Sequence, residues 1–291
     1  MSSEHTDPAT AAEEALHVPP QTTSRAGRNL PAAIGMGVGL GAVTIASLAI
    51  RKEVFGLILI AAVTMGILEL HRAFAARHVR VPILPVVLGG AAMQVSAYYL
   101  GAHALLVTFV LTGTVILAWG MLDPRDAVVR DVAAGVFVAA YLPYLAGFAM
   151  LALAQPRGAW WVVIMLLTPI CSDIGGYVFG VLWGRHPMAP SVSPKKSWEG
   201  MAGSLVFGVV AAVLVGTFAL GAAWWAGVLV GVVAVVTGTV GDLSESLLKR
   251  DLGIKDMGAI LPGHGGVLDR IDSLLLTAPV VYLLLGVLVP T

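Results

Sequence analysis

The sequence predicts an all-α polytopic membrane protein with about nine transmembrane helices. Hydrophobic residues make up 58% of the chain and charged residues only 12%, whereas soluble domains carry about 25% charged residues. Residues 203–241 contain no charged side chain. Buried strands of a soluble α/β protein do not require an uncharged run of that length, whereas membrane-spanning helices do. The net charge is zero and no basic arm with interleaved aromatics occurs, which argues against a nucleic-acid partner.

Residues 1–28 differ from the rest because they are rich in Ser, Thr, Ala, Glu and Pro. This composition predicts a disordered cytoplasmic tail. It contains no apolar core stretch, so we expect no cleavable signal, and the first span then acts as the targeting signal.

Nine apolar segments follow the tail. Each segment has close to the roughly 17 to 25 residues that a membrane-spanning helix needs. The segments are expected to be helices, because a helix in lipid satisfies its own backbone hydrogen bonds. The second segment is short, and we divide the long run 203–243 at Gly221. The predicted spans are 31–50, 54–70, 82–100, 102–122, 132–153, 160–182, 203–220, 223–243 and 268–289.

The distribution of basic residues supports this count and gives an orientation. Fourteen of the 17 Lys and Arg residues fall in the tail and the loops of one side, and basic loops face the cytoplasm. We therefore expect a cytoplasmic N-terminus, an outside C-terminus, and both charged segments, 184–200 and 244–272, on the cytoplasmic face. The Ala-, Gly- and Val-rich spans are typical of a bacterial protein, so the expected location is the plasma membrane.

The end of the eighth predicted span carries a polar stripe. Asp242, Glu245, Ser246 and Lys249 stand at i, i+3, i+4 and i+7, on one face of a helix, and Arg250 lies at the edge of that face. The alternative interpretation is a solvated helix end with an i,i+4 pair of Glu245 and Lys249.

The stretch 255–272, KDMGAILPGHGGVLDRID, leads into the ninth span. Its PGHGG turn at 262–266 allows positive φ and close approach of a ligand, and amides at a helix N-terminus suit a phosphate. Asp269 and Asp272 lie in the first turns of that helix, where acids are also favoured by the helix dipole alone. Two acids beside an anion-binding turn favour a cation, and Mg²⁺ is held by carboxylates together with substrate phosphates.

Two further segments carry polar groups. Asp173 lies about ten residues, or roughly 15 Å, from the cytoplasmic end of the sixth predicted span. A carboxylate at this depth indicates a functional site, and the alternative is a structural hydrogen bond to a neighbouring helix. Gly175, Gly176 and Gly180 permit close helix approach. The loop SVSPKKSWEG at 191–200 offers Lys195 and Lys196 to phosphates or lipid headgroups, or forms an interfacial Lys/Trp anchor, and a helix is expected to begin around Ser197.

Together these residues resemble the CDP-diglyceride synthetase (phosphatidate cytidylyltransferase) family. Its C-terminal signature is S-x-x-K-R-x4-K-D-x5-P-x-H-G-G-x-x-D-R-x-D, and the resemblance extends over residues 170–275. The matching positions here are Ser246, Lys249, Arg250, Lys255, Asp256, Pro262, His264, Gly265, Gly266, Asp269, Arg270 and Asp272. SPKKSWEG and Asp173 are also similar to the family's pattern.

The resemblance implies Mg²⁺-dependent transfer of CMP from CTP to phosphatidic acid, giving CDP-diacylglycerol and pyrophosphate, in a homodimer. It implies that Asp242 and Asp269 are the principal metal ligands and that a monovalent cation such as K⁺ can accompany Mg²⁺. Asp173 and Lys249 complete the expected catalytic set. The expected substrate-binding residues are Lys195, Lys196, Ser197, Glu245, Ser246, Arg250, Lys255, His264, Gly265, Gly266, Arg270 and Asp272.

This interpretation divides the chain into the tail, N-terminal transmembrane helices at 29–158 and a C-terminal transmembrane catalytic region at 159–291. Two alternatives remain open at this point. A transporter would suit nine spans with a buried Asp173, but it would place ionisable groups near the midplane in corresponding halves. A polytopic CTP-dependent lipid-alcohol kinase would share the nucleotide chemistry and transfer the γ-phosphate instead.

Overall fold

A computed structural model describes residues 30–122, 127–189, 193–258 and 265–289. The predicted tail 1–28 and His264 lie outside these residues. The described chain is helical apart from one short antiparallel hairpin, β1 (Pro187–Ala189) and β2 (Ser193–Ser197). The all-α prediction is confirmed, and the hairpin is an addition that the sequence did not indicate.

The helical part of the described chain consists of ten α-helices and two π-helical turns. The helices are α1 (Leu30–Ile50), α2 (Lys52–Ala75), α3 (Ile83–Leu100), α4 (Ala102–Leu122), α5 (Val128–Ala139), α6 (Leu145–Ala154), α7 (Gly158–Trp183), α8 (Trp198–Leu214), α9 (Trp224–Asp251) and α10 (Leu268–Leu288). The π turns are Ala140–Tyr144, which joins α5 to α6, and Val215–Ala219, which extends α8.

Eight continuous helical segments of the described chain are long and apolar enough to cross a membrane. They correspond to the second through ninth predicted spans, and α1 matches the first. The main difference lies at α9, which continues to Asp251 where the prediction ended at residue 243. The polar stripe is therefore part of one unbroken helix.

The π turn between α5 and α6 follows from Pro143. Proline has no amide hydrogen to donate and its ring displaces the preceding turn, and π turns accommodate such a defect within a helix. Gln94 of α3 is fully buried, and its Nε2 donates to the carbonyl oxygen of Pro143 at 2.6 Å. The fifth span nevertheless runs as one helical segment from Val128 to Ala154.

Helices α7 and α8 approach each other through glycines. A Cβ on Gly203 would lie 2.5 Å from the carbonyl oxygen of Gly175, and one on Gly176 would lie 2.5 Å from the Ser204 hydroxyl. Such distances are too short for a side chain, so the absence of one is what permits the contact. The predicted close approach of the glycines in the sixth span is confirmed.

Side-chain contacts show which loops share an end of the bundle. At one end, Arg77 Nε, just after α2, donates to the carbonyl oxygen of Leu252 at the end of α9. At the opposite end, Arg157 donates to the carbonyl oxygen of Leu220. The loops that follow α2 and α9, both among those predicted to be basic, therefore meet at one end of the bundle.

Candidate active site

Three carboxylates converge where α9 meets the start of α10. Asp242 and Glu245 lie one turn apart on α9, Asp272 lies on α10, and one oxygen from each falls within 4.8 Å of the others. Gly241 permits this proximity, because a Cβ there would lie 2.7 Å from the carbonyl oxygen of Asp272. Glu245 and Asp272 are buried, at 1% and 8% exposure. We call Asp242, Glu245 and Asp272 the acidic cluster.

Lys249 links the acidic cluster to Asp269. Its Nζ lies 2.7 Å from Glu245 Oε2 and 2.8 Å from Asp269 Oδ1. The i,i+4 pair of Glu245 and Lys249 therefore exists, but the lysine side chain is only 16% exposed and the glutamate 1%. The interpretation of this segment as a solvated helix end is wrong, because both charges are withdrawn from water.

Asp269 lies in the same region with both oxygens engaged. Its Oδ2 accepts from the amides of Gly266 at 2.8 Å and Met257 at 3.0 Å, and its Oδ1 contacts Lys249. Gly265 has φ of +79°, the left-handed region that favours glycine. Asp269 as a partner of Asp242 in metal binding stays a prediction, and the converging carboxylates are those of the acidic cluster.

Glu69 of α2 is a site residue that the sequence analysis missed. Its side chain is 1% exposed, and its Oε1 and Oε2 accept from the amides of Val267 and Leu268, each at 2.9 Å. These amides open α10 and have no partner within that helix. A lone acid in an apolar span was the signal that could have found it.

The same contacts correct one expectation. We expected the amides at the start of α10 to be available for a phosphate, but carboxylates already accept from three of them, those of Gly266, Val267 and Leu268. A phosphate would have to displace Asp269 or Glu69. Substrate contact by Gly265 and Gly266 through other atoms stays a prediction.

The hairpin β1–β2 brings Lys196 to the acidic cluster, where its Nζ pairs with Asp242 Oδ2. Ser197 caps α8, because its hydroxyl accepts from the amide of Gly200 at 3.1 Å, which confirms the predicted helix start. Glu199 fixes the other side of the hairpin, since it accepts from the amide of His186 at 3.2 Å and contacts its Nδ1 at 2.6 Å.

A cavity of about 310 Å³ opens beside Lys196, between α7, α8, α9 and the start of α10. Asp173 lies on its wall, so the carboxylate within the sixth span borders a polar space, as the functional interpretation requires. Several hydroxyl groups share the wall, which suits a polar ligand. They belong to Ser172, Ser193, Ser197, Ser204, Thr239 and Ser273.

The other predicted residues lie around the same end of the bundle. Ser246 is half-buried on α9, while Arg250, Lys255 and Arg270 are exposed. Lys195 lies on β2. The structure thus gathers the described members of the predicted set at one end, which argues against the two-halved arrangement of a transporter.

The acidic cluster fits a hard cation such as Mg²⁺. Glu245 Oε1 is buried and accepts no hydrogen bond from the described part of the chain, and an unsatisfied buried carboxylate oxygen is costly. Oxygen ligands from carboxylates are those that Mg²⁺ prefers. The donor set is therefore chemically suitable, with Asp242 as the member nearest the hairpin lysine.

A family model described as the cytidylyltransferase family matches residues 31–288. The chain belongs to this family. The match spans all ten helices described above, so the N-terminal spans, which carry none of the signature residues, are also part of the family's architecture.

Curated relatives agree with this assignment. The chain is 40% identical over 291 residues to a Mycobacterium bovis protein named phosphatidate cytidylyltransferase, covering 95% of each chain. It is 38% identical over 292 residues to a Mycobacterium leprae protein of the same name, covering 95% of this chain and 94% of the relative. A Synechocystis protein with that name is 34% identical over 215 residues, covering 62% of this chain and 71% of the relative.

Proposed function

We propose that this protein is a phosphatidate cytidylyltransferase of phospholipid biosynthesis, which transfers CMP from CTP to phosphatidic acid. The observation that carries the proposal is the acidic cluster flanked by Lys196 and Lys249, in a chain of the cytidylyltransferase family. Acids and lysines alternating beside a polar cavity suit a reaction between two phosphate-bearing substrates.

In this reaction a phosphate oxygen of phosphatidic acid attacks the α-phosphorus of CTP. A P–O bond forms there, the bond to the β-phosphate oxygen breaks, and pyrophosphate leaves with its electron pair. The attacking phosphate is already ionised near neutral pH, so no strong general base is required. The task of the protein is to bring polyanions together and to stabilise charge in the transition state.

The lysines are assigned to that task. Lys196 borders the cavity and pairs with Asp242. An incoming phosphate can therefore replace Asp242 as the ion-pair partner of the Lys196 ammonium group. Lys249 is held between Glu245 and Asp269 and keeps a positive charge at the junction of α9 and α10. Arg250, Lys255 and Arg270 provide further basic groups for the triphosphate at the same end.

Mg²⁺ is the proposed cofactor, with Asp242, Glu245 and Asp272 as its ligands. When bound, the ion would neutralise phosphate charge and orient the reacting groups. The sequence resemblance pairs Asp242 with Asp269 instead. Geometry favours the acidic cluster, because its oxygens converge and Glu245 Oε1 accepts no hydrogen bond from the described residues, whereas both oxygens of Asp269 are engaged by Lys249 and two amides.

Location and assembly follow as further parts of the proposal. Fourteen of the 17 Lys and Arg residues lie in the tail and in the loops predicted to be on the same side as the site. This distribution supports a site on the cytoplasmic face of the plasma membrane, where CTP is available. The family resemblance supports a homodimer, which light scattering of the detergent-solubilised protein would test.

The deciding experiment uses purified protein, phosphatidic acid, Mg²⁺ and CTP labelled at the α-phosphate. We expect label in the lipid and release of one pyrophosphate per labelled lipid, and no transfer by an Asp242→Asn variant. A parallel reaction offers a lipid alcohol in place of phosphatidic acid, and label that stays in CDP while this alcohol is phosphorylated would establish the kinase instead. Absence of any turnover by the folded wild type would refute the proposal.

A further inference from the structure

Helix α2 contacts the candidate site, although it belongs to a part of the chain that contains none of the family's signature residues. Glu69 and Arg77 are eight positions apart, about two helical turns. Glu69 binds the start of α10, and Arg77 binds the end of α9. Both ends of the segment 252–267, which joins α9 to α10, are thus held by α2 and the turn that directly follows it.

Glu69 fits closely between two glycines of that joining segment. A Cβ on Gly258 would lie 2.5 Å from Glu69 Oε1, and one on Gly266 would lie 2.6 Å from Oε2. The carboxylate therefore occupies the space that side chains would otherwise fill. It is buried at 1% exposure, and its two amide donors are what compensates its removal from water.

Arg77 makes the complementary contact. Its Nε donates to the carbonyl oxygen of Leu252 at 2.8 Å, and its guanidinium packs on Gly253, which has φ of +67°. A cation at the C-terminal end of α9 and an anion at the N-terminal end of α10 each complement the local helix dipole. The charges of Glu69 and Arg77 are therefore placed with the signs that both helix ends favour.

We propose that Glu69 is a positioning residue for CMP transfer, and that Arg77 supports it from the other end of the joining segment. Glu69 holds the amides of Val267 and Leu268, which directly precede Asp269 and lie one turn before Asp272. Fixing these amides fixes the direction of the first turn of α10, and with it the carboxylates that Lys249 and the acidic cluster require. This inference rests on the proposed function.

The test compares Glu69→Gln with Glu69→Asp. Gln preserves the shape but turns an NH₂ group toward one of two amide donors, whereas Asp keeps both acceptors on a shorter side chain. We expect kcat of Glu69→Gln to fall about 10- to 100-fold, as for other residues that orient active-site groups. We expect KM for CTP to change less than about threefold, and Glu69→Asp to retain more activity than Glu69→Gln.

The matched control is Glu53→Gln, near the opposite end of the same helix, where Glu53 is exposed and accepts from the hydroxyl of Tyr98. Its activity should stay within about twofold of wild type. Arg77→Gln is a second variant at an exposed position and should also lower kcat. A Glu69→Gln variant with kcat within about twofold of wild type would overturn the proposal, and so would equal losses in Gln and Asp that follow loss of folded protein.

Hydrogen–deuterium exchange separates this proposal from the proposed function. At least one of the amides of Val267 and Leu268 should exchange about tenfold faster or more in Glu69→Gln than in wild type, because one of their two acceptor oxygens is lost. Unchanged exchange would overturn the positioning role. A wild-type protein that transfers no CMP would refute the proposed function, and the exchange rates would still decide whether Glu69 holds α10.

Discussion

Lys249 Nζ lies 2.8 Å from Asp269 Oδ1 and joins helix α9 to helix α10 at the candidate site. The same ammonium group lies 2.7 Å from Glu245. One cation thus compensates two carboxylates that are largely removed from water. This arrangement links the stability of the helix junction to the charge balance of the site.

Replacement of Lys249 by Met should therefore destabilise the protein as well as abolish turnover. Removal of one partner leaves buried charge uncompensated, which costs about 3 to 5 kcal/mol. Thermal unfolding in detergent measures the loss, with Arg250→Met as the neighbouring exposed control. Equal melting temperatures for the two variants would contradict the buried role of Lys249.

The ligand assignment predicts a distinct order among the acidic variants. Glu245→Gln and Asp272→Asn should raise the Mg²⁺ concentration needed for half-maximal activity about 10- to 100-fold, while Asp242→Asn should abolish transfer. Asp269→Asn should lower kcat with a smaller change in Mg²⁺ requirement. The reverse order would support the pair of Asp242 and Asp269 that the sequence resemblance implies.

Lys196→Gln should lower kcat/KM for CMP transfer by about 100-fold, because loss of one charged donor at a reacting phosphate has effects of that size. Lys196→Arg should retain part of the activity. Lys52→Gln removes a cation at the opposite end of the bundle, where its Nζ donates to Leu153, and should stay within about twofold of wild type. Steady-state kinetics with both substrates varied measure these effects, and equal losses in Lys196→Gln and Lys52→Gln would contradict the assignment.

The glycine contact between α7 and α8 predicts a large effect from a single methyl group. Gly203→Ala would place its Cβ 2.5 Å from the carbonyl oxygen of Gly175, and overpacking of this kind costs about 1 to 3 kcal/mol. Gly113→Ala on α4 is the control, since a Cβ there meets nothing within 4 Å. We expect the melting temperature of Gly203→Ala, but not that of Gly113→Ala, to fall below the wild-type value. Equal melting temperatures for the two variants would show that α7 and α8 can move apart.

The sequence was informative about the fold because hydropathy and charge placement report directly on lipid contact. Spans such as 102–122 coincide with a helix end to end. The length of α9 was underestimated, because its last turns carry Asp242, Glu245 and Lys249 and are no longer apolar. The hairpin at Pro187–Ala189 and Ser193–Ser197 has no alternating pattern, so it could not be predicted.

The site was predictable where its residues are close in sequence. Asp242, Glu245 and Lys249 share a helix face, and Asp272 follows a recognisable motif. Glu69 was missed because it lies almost 200 positions before its partners, and no periodicity connects the two segments. The rule that selected Asp173, an acid within an apolar span, applies equally to Glu69 at the end of the predicted segment 54–70.

The hydrogen bonds from Val267 and Leu268 to Glu69 cross the boundary that the sequence suggested at residue 158. These hydrogen bonds have a consequence for protein engineering. In a hybrid that combines residues 159–291 of this chain with the earlier spans of a relative, α10 contacts the relative's residue at the position of Glu69. Such hybrids should lose about 10- to 100-fold in kcat unless the donor supplies an acid at the position of Glu69. Exchange of segments between members of the family is therefore expected to depend on this carboxylate as well as on the length of the spans.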